Sequence, residues 1–386
     1  MRSLQTETAP QTETLRLGPI TVDPPVVLAP MAGITNAAYR QLCREQGAGL
    51  YVCEMITSRA VVERIPKTFA MLRFDPGETV RSVQLYGVDP AVMAKATTIL
   101  CDEFGVSHVD LNFGCPVPKV TRRGGGGVLP WKRDRLAAIL TATVRAAEPY
   151  GVPVTMKTRL GIDEQHETFL DAGRIAREAG CAAIALHART VKQAYGGEAD
   201  WSRIAELVAS VDLPVLGNGD IWEAADALAM MRRTGCAGVV IGRGCLGRPW
   251  LFRDLAAAFA GREAPPLPNL GEVAAMVYRH AELLAGLDSE THGLRDLRRH
   301  MAWYFKGFAV GGDVRRGLAT VESLAQLRGL LATLDADVPY PSSELGSPRG
   351  RQGAPRGKVV LPYGWLDSDC LGEADIADAE SDASGG

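Results

Sequence analysis

The sequence predicts an α/β chain: a (β/α)8 TIM barrel followed by a small all-α helical domain and a disordered acidic C-terminal tail. Three observations carry this prediction. Short, almost continuously apolar runs alternate with amphipathic stretches from Pro25 to about Phe259. Such runs must be covered on both faces, which requires parallel strands joined by crossover helices. Eight of these units occur in succession, which fits one barrel of about 250 residues. Beyond them a Pro-rich linker, GREAPPLPNLG, gives way to residues 271–334 that read almost entirely as helix. An open doubly wound sheet is the alternative arrangement of the same units.

Taken in order, residues 1–24 form an N-terminal extension and 25–262 the barrel. The strand candidates are PPVVLAP, GLYVCEM, VRSVQLY, HVDLNFG, PVTMKTR, AAIALHA, LPVLGNG and AGVVIGRG, ending near Pro30, Glu54, Tyr86, Asn112, Lys157, His187, Asn218 and Gly242. Between the first two strands, Thr35 is placed to cap a helix running to Gln46, with Gly47 as its stop, and Asp134 is placed to cap the helix that follows it. Residues 263–336 form the helical domain. The tail, 337–386, carries four Lys+Arg against nine Asp+Glu, and from Asp367 onward it has seven acids and no base. Such a composition buries too little apolar surface to order itself.

Composition excludes several classes. At 46% hydrophobic and 23% charged, the 386-residue chain is expected to be a globular protein of the cytoplasm. No run approaches the roughly 20 apolar residues that span a bilayer, and the first residues lack a signal-peptide core. The eight Cys show no C-x-x-C pair, so neither a disulfide framework nor a metal site is expected. The expected state is a monomer.

In a barrel, chemistry belongs at the strand C-termini, and there the residues are unusually polar: Gln84, Asn112, Cys115, Lys157, His187, Arg189, Asn218 and Asp220. The glycines of NGD (218–220) and GRG (242–244) suit a phosphate cradle built of backbone N–H groups. Gly242 to Gly247 also spells G-x-G-x-x-G, but no second strand with an acidic residue follows, so a dinucleotide fold is rejected. Lys157 at the end of an apolar strand needs an anion; an electron-rich flavin ring would supply one, and so would a barrel carboxylate. Cys115, between Gly and Pro and close to Lys119, Arg122 and Arg123, reads as an accessible thiol. At an ordinary pKa of about 8.5 it stays protonated and can donate its proton. In the helical domain, Arg295, Arg298, Arg299, Lys306, Arg315 and Arg316 interleave with Trp303, Tyr304, Phe305 and Phe308. That pattern suits nucleic acid, and equally a charged face whose aromatics turn into the core.

These residues resemble the tRNA-dihydrouridine synthases, in particular their bacterial B-type branch. The resemblance runs through PMAGITNAAYR (30–40), QLYG (84–87), NFGCPVPKVTRRGGGG (112–127), MKTRLG (156–161), HARTVKQAYGGEADW (187–201), NGDI (218–221), IGRG (241–244) and HMAWYFKG (300–307). It implies a barrel that binds FMN and a helical domain that binds tRNA. It also implies that NADPH reduces FMN, whose hydride goes to C6 of a uridine while a cysteine protonates C5. By motif, Pro30, Met31, Ala32 and Gln84 would line the isoalloxazine, and Lys157 and His187 would contact the cofactor. Asn218, Gly219, Asp220, Gly242 and Arg243 would hold its phosphate, and Cys115 would be the acid. Asn112, Lys119, Arg189, Arg295, Arg298, Arg299 and Lys306 would meet the RNA. Two other functions fit the residues less fully: a flavin reductase of free pyrimidines or enones, and a noncatalytic RNA-binding scaffold.

Overall fold

The computed structural model describes residues 14–353 and 358–370. Two short strands, β1 (Leu15–Leu17) and β2 (Ile20–Val22), pair as an antiparallel hairpin. The barrel strands follow: β3 (Val26–Leu28), β4 (Leu50–Tyr51), β5 (Ile56–Thr57), β6 (Ser82–Tyr86), β7 (His108–Phe113), β8 (Val154–Arg159), β9 (Ala183–His187), β10 (Val215–Asn218) and β11 (Gly238–Ile241). Their order is β4-β3-β11-β10-β9-β8-β7-β6-β5, and every pairing among them is parallel. All eight expected strands are present. The second arrives in two pieces, β4 and β5, and the bridge between Val52 and Ser82 closes the ring across the interruption.

Strand alternation divides the barrel interior into two halves. From β6, β7 and β8 come Ser82 and Gln84, His108, Asp110 and Asn112, and Thr155, Lys157 and Arg159, each set spaced by two residues, as one strand face requires. The other strands supply Val27, Ala185, Leu216 and Val240 to a buried cluster that also takes Leu15, Leu17, Ile20 and Val22 of the hairpin. The hairpin of β1 and β2 is therefore a stopper for the barrel floor. Burying each of its aliphatic side chains stabilises by about 1.5–3 kcal/mol.

Two expected helix caps move by a residue or two. Helix Ala37–Glu45 is capped by Asn36, whose Oδ1 accepts the Tyr39 N–H at 3.1 Å. The Thr35 hydroxyl instead accepts the Met31 N–H at 2.9 Å and fixes the loop after β3. Gly47 does stop that helix, at φ +100°. Asp134 lies inside the first turn of helix Arg133–Ala147, whose cap position is Lys132; there its charge favours the helix dipole without capping.

Helices Leu270–Leu287, Glu290–Tyr304, Gly312–Thr320 and Leu324–Leu331 form the second domain around its own core. Tyr304, Phe305 and Phe308 belong to that core, so three of the four aromatics of the basic stretch turn inward, and Trp303 faces the barrel mouth. The tail also departs from expectation, because ordered packing continues well past residue 337. Tyr340 is buried, and the fully buried Arg349 donates to Trp303 O (2.8 Å), Leu246 O (3.3 Å) and Tyr340 Oη (2.6 Å). Trp365 is buried against the barrel. Three partners for one guanidinium and a large indole supply what the composition argument missed. The expected disordered stretch from 371 to 386 lies outside the described residues, as do 354–357 and 1–13.

Candidate active site

At the C-terminal mouth of the barrel lies a cleft of about 440 Å³. Pro30, Met31, Ala32, Gln84, Asn112, Cys115, Lys157, His187, Asn218, Gly219, Asp220, Gly242 and Arg243 all line it. Thirteen residues drawn from seven strand ends thus converge, as barrel topology requires. Its charged lining consists of Lys157, Arg159, Arg243 and Arg351 against the single carboxylate of Asp220.

That carboxylate is already engaged. Arg189, itself buried, donates through Nη2 to both Asp220 oxygens at 2.8 and 2.7 Å, and the Ala199 N–H reaches Oδ2 at 2.7 Å. Asp220 sits in the left-handed region at φ +54°, a conformation Asp adopts more readily than most residues. Arg189 also donates to the Gly196 and Gly197 carbonyls and does not line the cleft. Its task here is to hold the loops after β9 and β10, because its donors are spent inside the protein.

Of the remaining cations, Arg243 also pairs with Asp220 Oδ1 at 3.7 Å and donates to Arg351 O at 2.8 Å, and Arg159 donates to the Gly114, Thr190 and Ala194 carbonyls. Among the described residues no hydrogen bond or ion pair reaches Lys157 Nζ, so the alternative of a barrel salt bridge does not apply. Burial, and then the neighbouring Arg159, push its ammonium down to about 7, with Asp110 acting the other way. Burial likewise holds His187 well below its usual range, helped by Arg159, Lys157, Arg189 and Arg243, so the imidazole is neutral. Arg243 is stacked between Tyr195 and Trp222, its guanidinium carbon 4.9 and 5.2 Å from the two ring centres. Beside it, no described residue accepts a hydrogen bond from the backbone N–H of Gly242, Arg243 or Gly244. A Cβ at Gly244 would lie 2.2 Å from Ile221 O, so only glycine lets these two loops approach so closely.

Cys115 stands on the opposite side of the chemistry. Burial pushes its thiol up, against the weaker pull of the Val117 backbone and Arg159, so it holds its proton at neutral pH. Arg159 donates through Nε to Gly114 O at 2.7 Å and clamps the loop to β8. It is the nearest influential cation; Lys119 is exposed on the short helix Pro118–Thr121. Behind the loop, a relay of side chains crosses three strands. Asn112 Oδ1 accepts the Gly114 and Cys115 N–H groups, and its Nδ2 donates to Gln84 Oε1 at 2.9 Å. Gln84 Nε2 donates to Asp110 Oδ2 at 2.6 Å, and Thr155 donates to Asp110 Oδ1 at 2.7 Å. His108 bridges Thr155 and Ser82 at 2.9 and 2.7 Å. With burial pushing His108 down to about 4, the ring is neutral and donates from Nε2 to Thr155. The amide orientations of Gln84 and Asn112 follow from that chain.

Of the RNA-binding candidates in the helical domain, Arg295 is exposed. Arg298 donates to Val321 O and Thr320 O at 2.9 Å, closing the end of helix Gly312–Thr320. Arg299 donates to Gly33 O at 2.9 Å and thereby ties the helical domain to the loop of Pro30–Ala32. Lys306 pairs with Glu344 at 2.7 Å. Arg159, Tyr195, Trp222 and Arg351, none of them singled out from the sequence, also line the cleft, as does Trp303, read there only as an aromatic of the basic stretch. For Arg159 the signal was present: it lies two residues beyond Lys157 and so on the same strand face.

Comparisons with known proteins agree with this architecture. The family model described as Dihydrouridine synthase (Dus) matches residues 27–339. A probable tRNA-dihydrouridine synthase of Mycobacterium tuberculosis is 56% identical over 360 residues, covering 91% of this chain and 92% of that one. tRNA-dihydrouridine synthase B of Xanthomonas campestris is 37% identical over 331 residues, 85% of this chain and 98% of its own. Among solved structures, histamine dehydrogenase from Rhizobium sp. 4-9 shares the fold at a TM-score of 0.52 and 13% identity, over 86% of this chain and 65% of that longer one. No helix among the described residues is long and apolar enough to cross a membrane.

Proposed function

The chain belongs to the dihydrouridine synthase family, and from that premise we propose that it reduces specific uridines of tRNA to 5,6-dihydrouridine, using FMN with NADPH as reductant. The observation that carries the reading is the meeting, in one cleft, of Lys157, whose ammonium has no partner among the described residues, with a protonated thiol.

The residues present fit FMN. The open N–H groups of Gly242, Arg243 and Gly244, on the side where Arg243 is stacked, would hold its phosphate. Asn218 donates to Val240 O at 2.7 Å and keeps β10 and β11 in register beneath that cradle. Pro30, Met31 and Ala32 offer an apolar wall, and Lys157 offers a cation for the electron-rich pyrimidine edge, whose negative charge draws its proton back. Gln84, oriented by Asp110, presents a fixed amide to the same edge. When bound and reduced by NADPH, FMN supplies the hydride for C6 of the base.

The chain supplies the rest. A uridine in folded tRNA must be unstacked and turned into the cleft. Asn112 and Arg159 hold the Cys115 loop, and Cys115 delivers the proton to C5. Such general acid help contributes roughly 10²- to 10⁴-fold.

Purified protein reconstituted with FMN tests the reading. It is expected to be yellow and, with NADPH, to form dihydrouridine in tRNA but not in free uridine. Reduction of free uridine at comparable efficiency would instead favour a flavin reductase of small substrates, and failure to bind FMN would favour an RNA-binding scaffold.

A further inference from the structure

Trp365 packs behind the Cys115 loop from a segment outside residues 27–339, the span that the family model matches. Its indole is buried beside Val128, Ile162 and Val191, and its Nε1 donates to Val128 O at 3.2 Å. Lys132 lies over the ring, 4.9 Å from its centre, and donates to Ser368 O (2.6 Å) and Cys370 O (3.0 Å), fastening the chain on the far side. The ring lies against Gly124, at φ +73°, so closely that a Cβ there would be 2.4 Å from the six-membered ring. From Gly124 the chain turns beneath Cys115. The Gly127 N–H donates to Cys115 O at 3.0 Å, and a Cβ at Gly126 would lie 2.7 Å from that same oxygen.

Four consecutive glycines make the most permissive segment a chain can have, and this one carries the carbonyl contact of the acid. We propose that Trp365 is a positioning residue for Cys115: the indole wedges the Gly124–Gly127 turn in the one shape that supports the Cys115 peptide from below, opposite the Asn112 contact above. The C-terminal strap is then a working part of the site in this chain and not an appendage. The inference rests on the reading of Cys115 as the proton donor.

The test uses full-length holoenzyme in a Cys370→Ser background, which removes the exposed cysteine. Trp365→Ala and Trp365→Phe are compared with the parent by the rate of Cys115 alkylation with iodoacetamide and by single-turnover reduction of tRNA. Trp365→Ala is expected to speed alkylation about fivefold or more and to slow turnover about tenfold or more, with FMN affinity and the KM for tRNA within about twofold. Trp365→Phe keeps the wedge and loses the Val128 hydrogen bond, and it should recover part of both rates. Wild-type alkylation in Trp365→Ala, with or without a loss of turnover, overturns the proposal. A parent protein inactive on tRNA would refute the assigned reaction, while the alkylation rates would still decide whether Trp365 holds Cys115.

Discussion

Asn112 holds Cys115 in place with one end of its amide and reads Gln84 with the other: Oδ1 accepts the Cys115 N–H at 2.9 Å while Nδ2 donates to Gln84 Oε1 at 2.9 Å. A carboxylate can do only the first. Asn112→Asp sets a second acceptor against Gln84 Oε1 and adds charge to a relay that already buries Asp110. Turnover is expected to fall about 10²-fold, the cost of a misplacement of roughly 1 Å, with FMN binding weakened as Gln84 turns. Single-turnover rates and an FMN titration measure both effects; parental values for both would show that the Asn112 contact is dispensable.

Lys157 gives a pH dependence whose sign is fixed. Burial holds its folded-state pKa near 7, whereas an unfolded lysine titrates at about 10.4. Between those values the unfolded chain binds more protons, so the protein without cofactor gains stability as pH rises from about 7 to about 10. Lys157→Met removes this dependence. At pH 7 the variant is expected to melt higher than the parent by the equivalent of a few kcal/mol, on the scale of about 1.4 kcal/mol per pKa unit, and to lose tight FMN binding. Thermal melts of both apo proteins at pH 7 and pH 9.5 measure it. A lower melting temperature for the variant at pH 7 would mean that the ammonium is paired.

Much of this site was legible in the sequence because barrel topology converts strand ends into neighbours. Gln84, Asn112, Cys115, Lys157, His187, Asn218 and Gly242 lie far apart in the chain yet line one cleft. What escaped is long-range partnership. Arg189 reads as an anion-binding fork, but Asp220 and two loop carbonyls occupy it. Lys306 reads as an RNA contact, but Glu344 claims it. Composition alone made the segment from 337 a tail; a single buried arginine with three partners and one indole with a fitted socket outweigh the average of their neighbours. The second barrel strand was expected whole, and its break between β4 and β5 left no mark in GLYVCEM.

The basic stretch of the helical domain separates into side chains with different tasks. Arg295 is free to meet phosphate, and Arg295→Ala is expected to weaken tRNA binding and to reduce the slope of log K against log salt by about one. Arg298 closes a helix end through two carbonyls, so Arg298→Ala is expected to lower the melting temperature while leaving that slope near its parental value. Binding isotherms at three salt concentrations, read beside melting curves, distinguish the two. Equal slopes in parent and Arg295→Ala would move the RNA contact elsewhere on the surface.

The proton donor is decided by one comparison. Wild-type and Cys115→Ala holoenzymes, matched in FMN content by their visible spectra, are reduced with NADPH and mixed with tRNA lacking dihydrouridine, and the modified base is quantified against time. Identical FMN spectra are expected, with a rate about 10²- to 10⁴-fold lower in the variant. Equal rates of dihydrouridine formation would show that the proton comes from another group and that the thiol is a bystander.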